Sequence, residues 1–375
     1  MSIPDFKLER YFARWEFDAP HLLCTSDVEA LPMSELLALA DPDTRELWEG
    51  LRLGYTEAAG HPLLRSEIAG LYEGVAPEEV LVFAGAEEAI YVWMRTALGP
   101  GDRVVVTWPG YQSLYEVARS TGAEVDLLPL DPENGWALDF DLLRATLGPA
   151  TRAIVVNFPH NPTGSLPSRD DWGRLVDLAR EAGVLLFSDE VYRFLEHDPA
   201  DRLPPAVESY ERAFSLGVMS KSFALAGLRI GWLVSHDAEL LRRAASYKDY
   251  TSICCSAPAE LLALMALRAR GAVLERSRRI VRDNLALLDP FFRRWEGVLE
   301  WVRPRAGSTA FPRFVGDEDV ETLAEDLRAE EGVLVLPGTL MDYPGSHFRI
   351  GYGRTDLPAA LERFDRFLVR RFGPE

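Results

Sequence analysis

The sequence predicts an α/β fold in which a mainly parallel sheet is covered by helices on both faces. Short apolar runs are each followed by a turn of small residues, proline or glycine, and then by a helical pattern. Consecutive Val, Ile and Leu are typical of strands buried on both sides, and intervening helices are the connections that parallel strands need. Such units follow one another along the chain, with strands at 80–83, 103–107, 153–157 and 184–188.

The length of 375 residues predicts a large and a small domain rather than one core. We assign residues 53–270 to the large domain, which carries the sheet. Residues 1–52 and 271–375 are assigned to a smaller α/β domain. Its strands are expected within 298–314, 333–336 and 348–352, between a long helical stretch that starts at Pro258 and a C-terminal helix.

The N-terminal segment mixes helical and extended patterns. Aromatic residues spaced by three and four positions over 6–17 predict a short amphipathic arm that packs on another surface, with core packing as its main purpose. A short strand over 22–27 is expected to run into a polar turn. Ser34 is expected to cap a Leu-rich helix, and His61 to open a helix that reaches about Tyr72.

Composition narrows the classes of partner. The formal net charge of −19 disfavours binding to nucleic acid or to an anionic membrane, both of which require a basic surface. Cys24, Cys254 and Cys255 provide no disulfide framework, and no spacing of Cys or His predicts a metal site. Neither a signal peptide nor an apolar run long enough to span a membrane is recognisable. We therefore expect a cytoplasmic enzyme.

Chemically capable residues follow the predicted strands. Gly85, Tyr111, Asn161 and Asp189 each stand in or beside the turn after a strand. The carboxyl ends of parallel strands share one edge of the sheet, and ligands of such sheets bind there. These residues are therefore expected to lie along one rim.

Lys221 is the leading candidate for amine chemistry. It lies in a small polar turn between two apolar runs, eight residues before Arg229, and the only other lysines are Lys7 and Lys248. A desolvated lysine can lose its proton and attack a carbonyl, whereas arginine stays protonated. The alternative interpretation is that Ser220-Lys221 is an ordinary solvated turn.

The set of residue types matches what pyridoxal phosphate requires. Lysine forms an imine with the cofactor, and aspartate keeps its ring nitrogen protonated. Hydrogen-bond donors stabilise its phenolate oxygen, and an aromatic ring stacks on the pyridine. Arginine and the N–H groups at the start of a helix bind phosphate.

In these residues the chain resembles the class I/II, fold-type I aminotransferases that depend on pyridoxal phosphate. The resemblance runs from about Tyr55 to Arg349, in the order and approximate spacing of the family. It is carried by Asn157-Phe158-Pro159-His160-Asn161-Pro162-Thr163-Gly164, by Phe187-Ser188-Asp189-Glu190-Val191-Tyr192, and by the block from Ser220-Lys221 to Arg229-Ile230-Gly231.

The resemblance implies a role for each residue around the cofactor ring. Lys221 is implied to form the Schiff base and to shuttle the substrate proton. Asp189 is implied to pair with the pyridine nitrogen, and Asn161 and Tyr192 to contact the phenolate oxygen. Tyr111 is implied to stack on the ring.

The resemblance also implies how phosphate and substrate are bound. Arg349 matches the arginine that binds the substrate α-carboxylate. Tyr55 is implied to reach the phosphate of a neighbouring subunit, so that a homodimer with shared active sites is expected. The remaining phosphate ligands are implied to be Ser220, Arg229 and the backbone of Gly85, Ala86 and Glu87.

Taken singly, these residues have structural explanations. Asp189 is also a suitable helix N-cap, and Asn161 suits a plain turn. Tyr111 suits a packed aromatic position, Tyr192 a strand end, and Arg349 a surface ion pair.

Some positions depart from the family pattern. Val218 replaces a serine that often binds phosphate, and Glu260 stands near a common glutamine. Ser26, flanked by Thr25, stands where a glycine usually approaches the substrate carboxylate, so both hydroxyls are candidate substrate donors or turn caps. His160 beside Asn161 also occurs in related carbon–sulfur lyases.

The leading functional hypothesis is therefore transfer of an amino group from an L-amino acid to a 2-oxo acid. Elimination, side-chain replacement or cyclisation on the same fold is the competing hypothesis, and a non-catalytic ligand sensor is a remote one. A nicotinamide enzyme is disfavoured because no Gly-x-Gly-x-x-Gly follows a strand. Candidates for a second substrate arginine are Arg10, Arg14 and Arg313.

Overall fold

The computed structural model describes residues 3–316 and 318–373. Its strands are β1 (His21–Leu22), β2 (Val80–Phe83), β3 (Arg103–Trp108), β4 (Glu124–Asp131), β5 (Ala137–Leu138), β6 (Thr151–Asn157), β7 (Leu185–Asp189), β8 (Ala213–Val218), β9 (Gly231–Val234), β10 (Leu299–Glu300), β11 (Thr309–Ala310), β12 (Arg313–Phe314), β13 (Val333–Leu334), β14 (Leu336–Pro337) and β15 (Phe348–Gly351).

An eight-stranded sheet dominates the fold, with strand order β2-β9-β8-β7-β6-β3-β4-β5. Strands β4, β3, β6, β7 and β8 run parallel, while β9 is antiparallel to both of its neighbours and β5 is antiparallel to β4. The predicted mainly parallel α/β sheet is confirmed.

The helices are α1 (Lys7–Trp15), α2 (Met33–Ala38), α3 (Pro42–Glu49), α4 (Pro62–Ala69), α5 (Ala86–Ala97), α6 (Gln112–Ser120), α7 (Phe140–Thr146), α8 (Arg169–Ala182), α9 (Ala206–Ser209), α10 (Ala238–Lys248), α11 (Ala257–Arg268), α12 (Arg270–Arg294), α13 (Val320–Glu331) and α14 (Leu357–Phe372). Among the described residues, no helix combines the length and apolar character needed to cross a bilayer.

Both faces of the sheet are buried. Along β3, Val104 and Val106 belong to the core that contains Trp93 of α5, whereas Val105 belongs to a second core with Leu175 of α8. Side chains alternate between the two faces of a strand, so a helical layer on each face requires an apolar residue at every position. This explains the unbroken Val/Ile/Leu runs.

Short strand pairs form the rest of the structure. Strands β11, β15 and β14 make a three-stranded sheet, and β10 pairs with β12. Strand β1 pairs in parallel with β13, which ties the N-terminal segment to the C-terminal part of the chain. The domain boundaries at 52/53 and 270/271 stay a prediction.

Two details of the N-terminal prediction are wrong. Helix α2 begins at Met33, and its N-cap is Pro32 without a side-chain hydrogen bond, so Ser34 lies inside the first turn and caps nothing. Proline already fixes the extended backbone that a cap residue needs. Helix α4 ends at Ala69, before Tyr72, because the backbone turns at Gly70.

Candidate functional site

A cavity of about 390 Å³ lies at the carboxyl edge of the central sheet. The turns after β6, β7 and β8 and the start of α5 supply its floor. Helix α1 and the segment after β1 cover it. Its lining residues are Leu8, Glu9, Phe12, Glu16, Thr25, Ser26, Asp27, Ala86, Glu87, Ile90, Tyr111, Asn157, Asn161, Asp189, Val191, Tyr192, Val218, Ser220, Lys221, Ala226, Arg229 and Arg349.

Lys221 enters this cavity from the turn that follows β8. Its Nζ donates a hydrogen bond of 2.8 Å to Ser26 Oγ and lies 5.8 Å from the centre of the Tyr192 ring. No carboxylate of the described residues pairs with this amine. Lys221 is therefore held by a neutral hydroxyl, which a ligand can displace at small electrostatic cost.

Asp189, the last residue of β7, is a buried acid in the same cavity. Only 4% of its surface is exposed, and its Oδ1 accepts a 3.2 Å hydrogen bond from the Val191 N–H. Burial raises the pKa of Asp189 to about 7, although the Val191 N–H and the charge of Lys221 oppose the rise. A protonated ring nitrogen of a bound ligand, next to this carboxylate, would compensate for the burial of its charge.

Asn157 organises the turn after β6. Its amide nitrogen donates to the Asp189 carbonyl at 2.9 Å, and its Oδ1 accepts from the Asn161 N–H at 2.8 Å. The side chain thus joins neighbouring strand ends and fixes where Asn161 points. His160 in this turn does not line the cavity; its Nδ1 lies 2.7 Å from Thr163 Oγ1, and burial lowers its pKa to about 3.

Arg349 lies on β15 and faces the cavity from the small-sheet side. Its side chain is only 1% exposed, donates to the Cys24 carbonyl from Nη2 at 2.8 Å and from Nε at 3.2 Å, and donates to Asn161 Oδ1 at 3.1 Å. No carboxylate within the described ranges forms an ion pair with it. Burial lowers its pKa. A buried guanidinium with only neutral partners is suited to receive a carboxylate ligand.

Two tyrosines complete the cavity wall. Tyr192 is 1% exposed, and its hydroxyl has no hydrogen-bond partner among the residues that the structure describes. Tyr111 is the N-cap of α6, and its ring centre lies 5.1 Å from that of Phe6. Buried hydroxyl groups are normally satisfied, so the Tyr192 hydroxyl points to a missing polar partner.

The start of α5 forms the remaining end of the cavity. Its N-cap, Gly85, has φ 92° and provides no side-chain cap, which leaves the N–H groups of the first turn available to an anion. A Cβ at Gly85 would lie 2.4 Å from Arg229 Nη2, and one at Gly231 would lie 2.7 Å from the Ala86 nitrogen. Only glycine therefore allows the arginine and the helix start to approach each other.

Most of the predicted site residues line this cavity. They are Thr25, Ser26, Ala86, Glu87, Tyr111, Asn161, Asp189, Tyr192, Ser220, Lys221, Arg229 and Arg349. Gly85 lies behind the lining, and Tyr55 is 90% exposed and outside the cavity of its own chain. The implied roles of these residues stay predictions.

The structure locates the positions that depart from the family pattern. Val218 lines the cavity beside Ser220. Glu260 lies elsewhere, buried in α11, where its Oε1 accepts from the His61 N–H at 3.0 Å. Thr25 Oγ1 accepts a 3.3 Å hydrogen bond from Arg354 Nε, so this hydroxyl already has a partner.

The candidates for a second substrate arginine do not reach the cavity. Arg10 is absent from its lining, Arg14 lies over the Trp15 ring at 4.3 Å, and Arg313 pairs with Glu300 on the neighbouring strand. An arginine that the sequence did not suggest, Arg354, contacts the cavity-lining Asp27 at 3.2 Å.

The sequence interpretation missed the acidic side of the cavity. Glu9 and Glu16 of the α1 segment and Asp27 after β1 all line it. The predicted amphipathic arm is helix α1, and it covers the site as well as packing on the core. The seven-residue spacing of Glu9 and Glu16, which puts both on one helix face, was the available signal.

Comparisons with known proteins agree with this geometry. The sequence model for "Aminotransferase class I and II" matches residues 25–364. The capreomycidine synthase of Streptomyces vinaceus is 34% identical over 365 residues, which cover 96% of this chain and 92% of that protein.

Solved structures give the same result. A pyridoxal-phosphate-dependent aminotransferase from Streptococcus suis superposes with a TM-score of 0.94 at 34% identity, covering 100% of both chains. The pyridoxal-phosphate-dependent cyclase OrfR superposes with a TM-score of 0.90 at 29% identity, covering 99% of this chain and 98% of the cyclase. The chain therefore belongs to the class I and II aminotransferase family, with the fold-type I architecture and the pyridoxal phosphate dependence of that family.

Proposed function

We propose that this protein is an aminotransferase that moves the amino group of an L-amino acid to a 2-oxo acid. One observation carries the proposal. The Lys221 amine shares a cavity with a buried acid, Asp189, and with a buried guanidinium, Arg349, that has no acidic partner among the described residues. An amine, an acid and a carboxylate receptor are the groups that this reaction needs.

The cavity fits pyridoxal phosphate. The Tyr192 hydroxyl lacks a partner, as expected for a donor to the phenolate oxygen of the cofactor. Gly85 and Gly231 allow Arg229 and the start of α5 to form a phosphate cradle together with Ser220. Asn161 completes the contacts to the phenolate oxygen, and Tyr111 provides the stacking ring.

Bound pyridoxal phosphate supplies an electron-withdrawing ring that acidifies the α-hydrogen of an attached amino acid. The Lys221 amine holds the cofactor at rest; once released, it accepts the α-proton and returns it. Asp189 keeps the ring nitrogen protonated. Arg349 binds the α-carboxylate and thereby orients the α-hydrogen toward Lys221.

Ser26 contributes to this cycle by orienting the Lys221 amine. Its Oγ lies 2.8 Å from Lys221 Nζ. A hydroxyl at this distance orients the released amine without charging or neutralising it. No carboxylate pairs with Lys221 in the described structure, so this neutral hydroxyl is the side-chain partner that holds the amine in the cavity.

We also propose a homodimer with shared active sites. Tyr55 stands on an exposed segment with Leu53, and their exposed fractions are 90% and 85%. An aromatic and an aliphatic side chain exposed to this degree suit a subunit interface. In such a dimer, Tyr55 reaches the phosphate in the neighbouring subunit.

A second candidate activity is cyclisation or elimination on the amino-acid side chain. It is favoured by the similarity to the capreomycidine synthase and to the OrfR cyclase over nearly the whole chain. Both reactions need the same Lys221, Asp189 and Arg349, since both begin with removal of the α-proton. The cavity lining is therefore compatible with either outcome.

Product analysis separates the two activities. The cofactor-loaded enzyme is incubated with a panel of L-amino acids, each with and without 2-oxoglutarate or pyruvate. Transamination consumes the oxo acid and releases a new amino acid and a new 2-oxo acid in equal amounts. Ammonia or a modified amino acid formed without any oxo acid would refute transamination and establish the second candidate.

A further inference from the structure

Helix α1 presents acidic side chains to the active-site cavity. Glu9, Phe12 and Glu16 are spaced by three and four residues, which places them on one helical face, and all three line the cavity. Asp27, from the segment after β1, lines the same side. The cavity thus has an anionic wall, here called the acidic wall and defined as Glu9, Glu16 and Asp27.

The acidic wall is fixed relative to Arg349. The Phe12 ring centre lies 5.9 Å from the guanidinium carbon of Arg349. The start and the middle of α1 are anchored. The Lys7 N–H donates to Gln112 Oε1 at 3.0 Å, and the Tyr11 hydroxyl donates to the Val335 carbonyl at 2.9 Å. The glutamates therefore line the site on an anchored helix, with Glu16 half-buried and Glu9 also open to solvent.

The charges of this wall are incompletely neutralised by the protein. Asp27 pairs with Arg354 at 3.2 Å, but neither Glu9 nor Glu16 forms an ion pair within residues 3–316 and 318–373. Burial raises the pKa of Glu16, and the charges of Asp27 and Glu9 raise it further, although the charges of Arg354 and Lys221 oppose the rise. Glu16 also occupies the C-cap of α1, where the helix dipole disfavours an anion. A cation from a ligand would relieve each of these costs.

Two further groups in the same cavity indicate independently that it binds a ligand. The Tyr192 hydroxyl is buried and unpartnered among the described residues, and the Arg349 guanidinium has no acid partner there. Arg349 is thus ready for a carboxylate, and the acidic wall lines the same cavity. A neutral substrate side chain would leave the carboxylates of the acidic wall unpaired, and an acidic side chain would be repelled by them.

We propose that the substrate is an amino acid with a cationic side chain, an amine or a guanidinium, which Glu16 and Glu9 bind while Arg349 holds the α-carboxylate. This inference rests on the proposed function, because it assigns the side-chain specificity of the same site. Glu16 and Glu9 are specificity-determining residues and take no part in proton transfer. Asp27, already paired with Arg354, adds to the negative potential of the wall.

The test compares substrates that differ in charge but little in shape. L-Arginine and L-ornithine are the cationic probes, L-citrulline is the neutral counterpart of arginine, and L-glutamate is the anionic probe. The cofactor-loaded enzyme is expected to show a kcat/KM for arginine or ornithine at least about tenfold above that for citrulline, and the lowest value for glutamate.

Glu16→Gln removes the charge and keeps the shape. It is expected to lower kcat/KM for the cationic probes about tenfold, chiefly through KM, and to leave the value for citrulline nearly unchanged. Glu49→Gln is the matched control, since Glu49 is an exposed glutamate at the C-terminal end of α3, outside the cavity. Calorimetric binding of 2-methyl-L-ornithine, which lacks an α-hydrogen, provides a readout independent of turnover, and its affinity should fall in parallel.

The outcomes distinguish the two proposals. A preference for glutamate or citrulline, or an unchanged preference after Glu16→Gln, overturns the cationic-substrate inference and leaves the aminotransferase proposal intact. An enzyme that binds the cofactor but converts no amino acid of the panel, with or without an oxo acid, overturns both. The melting temperature and cofactor absorption of both variants establish that they remain folded and loaded.

Discussion

At the scale of single residues, the site is a set of polar groups that the protein alone leaves unsatisfied. Asp189 is buried with a raised pKa, Arg349 is buried with neutral partners only, and the Tyr192 hydroxyl has no partner among the described residues. Each arrangement costs folding free energy. A bound cofactor and substrate would supply the missing partners, so these residues form a receptor that is prepared before the ligands arrive.

The Asp189→Asn variant tests this cost directly. The folded protein holds the Asp189 proton up to a pKa of about 7, whereas an ordinary aspartate releases it near 3.8. The stability of the cofactor-free protein therefore declines as the pH rises between these values, and the loss is complete above pH 7. The neutral amide avoids this loss and still accepts from the Val191 N–H.

We expect cofactor-free Asp189→Asn to be more stable than the parent protein at pH 8. Its free energy of unfolding should be higher by on the order of 1–3 kcal/mol, and it should unfold at a higher temperature. The difference should shrink toward pH 4. The loaded variant should lose at least about 100-fold in kcat, because the ring nitrogen has lost its charge partner. Asp141→Asn, on an exposed turn of α7, is the control. A destabilised cofactor-free variant at pH 8 with near-normal turnover would contradict this account.

At the scale of elements, strand ends and one helix build the site. The turns after β6, β7 and β8 bring Asn161, Asp189 and Lys221 to one edge because parallel strands align their carboxyl ends. Asn157 then joins two of these turns through its buried amide. Helix α1 closes the cavity and adds the acidic wall, so it is the element that we expect to determine side-chain specificity.

The sequence predicts the parts of this arrangement that depend on local pattern. Unbroken apolar runs identify β2, β3, β6 and β7, and the residues after them lie at the cavity as expected. Local sequence patterns do not predict contacts between distant segments. Nothing near Glu16 in the sequence indicates that α1 approaches Arg349. In the sequence, Asn157 looks like an ordinary strand residue. Only the structure shows its hydrogen bonds to the Asp189 carbonyl and the Asn161 N–H. Ser34 was mistaken for a cap because Pro32 already shapes that turn.

At the scale of the whole molecule, we propose that each active site uses two copies of the chain. Tyr55 is exposed and does not line the cavity of its own chain, and the proposal gives it a function in the neighbouring subunit. The prediction is that each active site is assembled from residues of two chains.

Mixed dimers test this prediction. Lys221→Ala chains lack the amine, and Tyr55→Ala chains lack the phosphate contact. When the two variants are unfolded, mixed in equal amounts and refolded together, half of the dimers should be hybrids in which one of two sites is intact. Activity should then rise to about a quarter of the parent value, well above the sum of the separate variants. Activity equal to that sum, or a monomer in solution, would rule out a shared site.

A two-step absorption measurement tests whether Lys221 drives reversible transfer of an amino group. The loaded enzyme is first mixed with an amino acid that it converts, and then, after removal of the excess, with a 2-oxo acid. We expect the aldehyde form of the cofactor to be replaced by its aminated form and to return stoichiometrically with the oxo acid, and we expect Lys221→Ala to perform neither step at a comparable rate. A cofactor spectrum that the oxo acid does not restore, or a Lys221→Ala variant that completes both steps as fast as the parent, would show that Lys221 does not drive this transfer.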